Sequence, residues 1–153
     1  MDPHLERLFE HMVWADRQLL DALAALDAPS APMLRLLNHL LGAEQLWLRR
    51  VRGEDCAHVP VWPTLSLEAC RALAEATGAG FQAFVAAADA DQLAARVDYR
   101  TSRGQAVTST LRDMLTQVVL HGCHHRGQIA CLMRQEGFEP VGVDYILFTR
   151  AQG

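Results

Sequence analysis

The segment HGCHHRGQI, residues 121–129, places three histidines within five positions. Histidine is a mediocre helix former and only an intermediate core residue, so neither propensity nor burial accounts for the cluster, which points to chemistry. On a helix, residues four apart lie about 40° apart around the axis, one turn above the other, so His121 and His125 share a face. Gln117 and Gln128 fall on the same stripe, whereas His124 lies about 60° and Cys123 about 160° from His121. Two imidazoles at this spacing reach one divalent metal. They do not close a site, since zinc takes four protein ligands in structural centres and three plus water in catalytic ones.

The third nitrogen is expected from another helix. In MLRLLNHLLGAEQLWL, His39 shares its face with Leu36, Ala43 and Leu46, which turns it toward the core, where an imidazole needs a partner. His39, His121 and His125, meeting from two helices, would form a three-nitrogen site with positions left for water or substrate. The same residues also admit a structural reading: an i, i+4 pair holding nothing, and a core histidine bonded to a carbonyl. Three imidazoles suit zinc, nickel, copper or iron, and we expect zinc or nickel. Gln128 is expected to support a ligand or touch a substrate. His4, His11, His58 and His124 read as solvated residues, and Trp14, Trp47 and Trp62 as core and loop anchors. Arg126, about 140° from His121, is expected in a salt bridge at the surface or an interface, and Asp144 in a solvated turn.

Other chemistries lack their residues. A zinc protease helix of the H-E-x-x-H type needs glutamate where this chain has Gly122, and no Glu-x-x-His pairs occur for a di-iron centre. All 14 basic residues are arginine, which excludes a lysine Schiff base and a phosphate-loop lysine. The net charge of −4 comes without runs of like charge, so nucleic acid is not an expected partner; a small-molecule substrate is. Four cysteines without a C-x-x-C pair fit reduced thiols in a cytoplasm. No signal-peptide pattern and no run of about 20 apolar residues is found, so neither secretion nor a membrane is expected.

The elements that must position the histidines follow from periodicity and caps. A first helix is expected over 3–27, starting at Pro3, and a second over 32–52, starting at Pro32 and followed by the loop GEDCAHVPVWPTL. Ser66 caps a third helix that fades near Asp89, with Gly78 and Gly80 as weak points inside it. Alternation in ARVDYRTSRGQAVT predicts a short extended or hairpin excursion. Thr110 with Asp113 then caps a fourth long helix that carries the histidine motif and stops at Gly137. The tail is expected to pack irregularly, contributing Ile146, Leu147 and Phe148 to the core. The chain therefore reads as one all-α domain over 1–153, a four-helix bundle.

The segments NHLLGAEQLWLRRVRG and HGCHHRGQIACLMRQEGFEPVGVDY, with WADRQLL and YRTSRGQAVTSTLRDML, resemble the DinB/YfiT-like family of small bacterial metal-binding proteins over nearly the whole chain. The resemblance implies an up-down-down-up four-helix bundle, commonly dimeric, holding a divalent metal through His39, His121 and His125. Gln117 departs from it, since many relatives carry a further histidine there. Characterised relatives include S-transferases and an isomerase that use low-molecular-weight thiols. The expected function is thus a metal-dependent enzyme transferring a small thiol to an electrophile. The alternatives are a metal-dependent hydrolase and a non-catalytic metal-binding stress-response bundle.

A homodimer is expected on separate grounds. Leu34, Leu37, Leu41 and Leu48 form a second apolar stripe on the second helix, opposite His39, and an edge helix of a bundle buries only one stripe. Within one chain the loop with Val59, Val61 and Trp62 or the C-terminal Ile146 and Phe148 could cover it; the expected cover is the same stripe of a second subunit about a two-fold axis.

Overall fold

The computed structural model describes residues 2–152. Helices dominate it: α1 (Pro3–Ala24), α2 (Ala31–Val51), α3 (Leu67–Ala87), the short α4 (Ala90–Ala94), α5 (Leu111–Gln135) and α6 (Tyr145–Ala151), with β1 (Arg96–Arg100) and β2 (Ala106–Thr110) before α5. The caps act where the sequence locates them. Ser66 Oγ accepts from Ala69 N at 3.2 Å, and Thr110 Oγ1 accepts from Asp113 N at 3.1 Å while donating to Asp113 Oδ2 at 2.6 Å. The excursion is an antiparallel hairpin pairing Arg96 with Thr110 and Arg100 with Ala106. Gly137, at φ 85°, ends α5 in a conformation that a side chain would oppose.

Helix directions follow from contacts at separate heights. Asp2 meets Arg112 and Asp16 meets Arg126, so α1 and α5 run the same way. Ser30 donates to Glu136 Oε1 at 2.7 Å, near the end of α5, while His39 faces His121 and His125 further back, so α2 runs against α5. Asn38 bonds Leu65, just before α3, and Arg52 bonds the Gly80 carbonyl, so α2 and α3 are parallel.

Two apolar clusters fill the interior. One centres on Phe9, Met12, Phe81, Met114 and Leu115, the other on Leu19, Leu23, Met33, Leu37, Leu41 and Ile129. The leucine row of α2 therefore differs from expectation. Leu37 is 0% exposed, Leu41 1% and Leu48 7%, and they pack in clusters shared with α1 and α3 of the same chain. Because α2 touches both α3 and α5, it is buried on more than one side, and of the second stripe only Leu34 is half-exposed.

The glycines of α3 are sites of close approach. A Cβ on Gly78 would stand 2.7 Å from Val13 Cγ2, and one on Gly80 2.6 Å from Leu48 Cδ2. Gly78→Ala gains about 1 kcal/mol of helix propensity but overpacks the α1–α3 contact against a valine whose χ1 is stiff, at about 1–3 kcal/mol. Denaturant unfolding is expected to show a net loss of about 1 kcal/mol; equal or greater stability would mean that α1 and α3 can separate freely.

Two further expectations are corrected in the tail. It contains α6 rather than irregular chain only; Phe148 is buried, but Ile146 and Leu147 are exposed and add nothing to the core. His11 is not solvated. It is 3% exposed, donates from Nε2 to the Val143 carbonyl at 2.7 Å, and sets its ring against Tyr145 and Phe148, which docks α6 on α1. Burial pushes its pKa below the ordinary value.

Candidate metal centre

α2 and α5 bring the three histidines together. His39 projects from the middle of α2, and His121 and His125 from successive turns of α5. Ring centroids are 5.3 Å apart for His39 and His121, 4.6 Å for His39 and His125, and 4.3 Å for the α5 pair. Their potential ligand atoms lie within 4.8 Å of one another.

Hydrogen bonds orient the rings. The Val61 carbonyl can only accept, so His39 donates to it from Nδ1 at 2.8 Å and keeps its lone pair on Nε2. His125 donates from Nδ1 to Gln128 Oε1 at 2.7 Å, which again leaves the lone pair on Nε2. His121 then donates from Nε2 to His125 Nε2 at 3.0 Å. Two lone pairs thus face one point beside a third nitrogen that gains its own by a tautomer shift. Imidazoles fixed through the opposite nitrogen by a carbonyl and an amide oxygen suit a divalent cation. Gln128 stands where the sequence locates it.

The loop after α2 completes the surroundings. A Cβ on Gly42 would lie 2.7 Å from Pro63 Cδ and 3.2 Å from the Pro60 carbonyl, so this glycine lets the loop lie flat on α2 one turn from His39. Val61 and Trp62 are placed as a result. The Trp62 ring stacks on His39 at 3.9 Å and 13°, under the Arg35 guanidinium at 4.7 Å, and remains 48% exposed. It is a cover for a site residue, a role its reading as a loop anchor did not include. The available signal was Gly42, a residue that weakens a helix interior and is kept there where packing leaves no room for a side chain.

Burial, followed by repulsion from His125 and His39, lowers the His121 pKa from 6.5 to about 4, and burial lowers that of His125. In the metal-free protein His121 should remain neutral at pH 5.5, and an NMR titration with a midpoint near 6.5 would contradict this environment. The sign of the linkage follows. Because the unfolded chain binds this proton more readily, the stability tied to His121 is complete above about pH 6.5 and is lost as pH falls from there to about 4. Its size is about 2–3 kcal/mol after allowance for partial exposure.

Arg126 corrects a further expectation. It does form a salt bridge, but in the interior: its side chain is 1% exposed, with Nη1 2.7 Å from Asp16 Oδ1 and 3.9 Å from Glu44 Oε1, whose side chains are 6% and 2% exposed. Burial and the neighbouring Asp16 push Glu44 well above the usual carboxylate range, and burial raises Asp16. One cation between two buried carboxyls leaves one of them protonated, and Glu44 is the neutral partner. The remaining candidates lie outside the cluster of imidazoles: His4, His58, Gln117, Cys123, His124 and Asp144 are exposed.

Among the described residues no helix is long and apolar enough to cross a membrane. A model of the DinB family matches residues 1–153. Protein DinB of Bacillus subtilis (strain 168) is 24% identical over 159 residues, covering 93% of this chain and 91% of that protein. A DinB-like protein from Bacillus cereus ATCC 10987, known from a crystal structure at 2.01 Å resolution, shares the fold with a TM-score of 0.63 at 22% identity, over 88% of this chain and 92% of that one.

Proposed function

The chain belongs to the DinB family, and from that premise we propose that it is a divalent-metal-dependent enzyme that transfers a small thiol to an electrophilic substrate, with His39, His121 and His125 as metal ligands. The observation that carries the metal is the convergence of three imidazoles from α2 and α5, two of them with lone pairs directed by Val61 and Gln128. The thiol takes its support from the family resemblance of the motifs. A bound zinc or nickel ion would lower the pKa of a thiol and hold it as thiolate at neutral pH.

The chain's own groups supply orientation and shielding. Val61 and Gln128 hold two rings at the tautomer that ligation requires. Trp62 covers the His39 ring from the solvent side, and the depressed pKa of His121 keeps protons from competing for its nitrogen near neutral pH. The same reading takes the four long helices as an up-down-down-up bundle, supported by the paired contacts along α1, α2, α3 and α5. A cytoplasmic location agrees with four free cysteines. Homodimerisation rests on the resemblance alone, and light scattering distinguishes a mass near 17.0 kDa from twice that value.

The test is turnover of model electrophiles by metal-loaded protein, with and without a panel of cellular thiols. Thiol-dependent product supports the proposal. Thiol-independent ester or amide cleavage would replace it with a hydrolase, and inactivity with stoichiometric metal with a binding protein.

A further inference from the structure

The turn of α5 that carries His121 and His125 also carries Gly122 and Arg126, on another side of the helix. We propose that the buried cluster of Asp16, Glu44 and Arg126 is the positioning device of the histidine triad, setting the rotation of the His121–His125 turn against α1 and α2. The inference rests on the reading of the triad as a metal centre. Asp16 comes from α1, Glu44 from α2 five residues beyond His39, and Arg126 from α5 directly after His125; Arg126 bonds Asp16 at 2.7 Å and packs its guanidinium against the Glu44 carboxyl at 3.9 Å, so both ligand-bearing helices meet at the cluster.

The geometry sets how strictly it acts. A side-chain tip about 6 Å from a helix axis moves about 1 Å when the helix turns by 10°, several times the roughly 0.2 Å tolerance of metal–ligand distances. The same turn would carry the Arg126 guanidinium out of its 2.7 Å contact with Asp16, and at 1% and 6% side-chain exposure water does not replace the lost bond. Apolar neighbours on α5 such as Val118 and Ile129 attract without direction and resist small rotations less sharply. Gly122 completes the device: a Cβ there would lie 2.9 Å from Arg126 Nη1, so the guanidinium occupies the space that a side chain would fill. Among the described residues Glu44 Oε1 and Arg126 Nε have no hydrogen-bond partner, as expected of a cluster kept for register rather than for stability.

Removing the whole cluster separates positioning from stability. Asp16→Leu/Glu44→Met/Arg126→Met replaces three buried polar groups with apolar ones, an exchange that proteins commonly survive. Gly122→Ala is the second variant: it favours the helix yet displaces the guanidinium. Phe81→Leu, a core change in α3, is the control for destabilisation. Three measurements are made well below each unfolding temperature: nitrogen-15 NMR of histidine tautomers in metal-free protein, cobalt(II) affinity, and the cobalt ligand-field spectrum. Both cluster variants should lose about 10–100-fold in cobalt affinity, shift the visible bands, and lose the ordered His125 Nδ1–H signal in the metal-free state. Phe81→Leu should keep all three while unfolding at lower temperature. Wild-type tautomers, affinity and spectrum in either folded cluster variant would overturn the proposal. Failure of the unaltered protein to take cobalt would instead sink the metal reading, and the metal-free tautomers would still decide positioning.

Discussion

Alanine at His39, His121 or His125 is expected to remove stoichiometric metal, measured by elemental analysis after dialysis, while alanine at His124 leaves it in place. The contrast is sharp because the four residues are neighbours. His124 sits next to His125, its ring 5.1 Å away, yet it projects from the exposed side of α5 and is absent from the converging set. Losing one of three nitrogens leaves two, too few to hold zinc or nickel against dialysis. The effect should exceed the roughly 10–100-fold loss typical of an outer partner, which is what Gln128→Ala is expected to show, since that change frees the His125 ring without removing a ligand. Equal metal content in all four histidine variants would leave the structural reading of the triad standing. An intermediate loss confined to His121→Ala would mean that His121, which must change tautomer before it can ligate, contributes less to metal retention than His39 and His125.

Leu37→Asp is expected to abolish the fold. Leu37 is 0% exposed and packs in the cluster that includes Leu19, Leu20, Leu23, Leu41 and Ile129. The substitution forfeits about 2–5 kcal/mol of apolar packing and buries a carboxyl at a cost of several more, which together match the 5–15 kcal/mol stability of an ordinary domain. Circular dichroism should show lost helix and no cooperative thermal transition. If the variant were instead a folded monomer, the leucine row would have to lie on a surface, as the sequence periodicity taken alone implies.

That reversal shows where sequence reasoning stops. The helices, their caps at Ser66 and Thr110, the hairpin and the stop at Gly137 depend on interactions between residues a few positions apart, so they are readable from spacing and residue type. The convergence of His39, His121 and His125 was readable for a related reason. An i, i+4 pair defines a face, and a histidine on an apolar stripe must point inward, which leaves few places for the two to meet. What lies opposite a face is another matter. Periodicity gave Leu37, Leu41 and Arg126 angular positions on their helices; the neighbours come from elements distant in sequence. Arg126 does face away from the imidazole cluster, but Asp16 lies 110 residues earlier, and the space for the guanidinium comes from the missing side chain of Gly122. Trp62 over His39, and His11 against Val143, likewise depend on how a loop and a tail pack over the helices. By itself the sequence determined the four long helices and the meeting of the three imidazoles, because those are local or follow from one amphipathic stripe. Only the tertiary structure decided the interior ion cluster, the burial of the leucine row and the indole cover, because a helix enclosed on several sides buries more of its circumference than a single apolar stripe reveals.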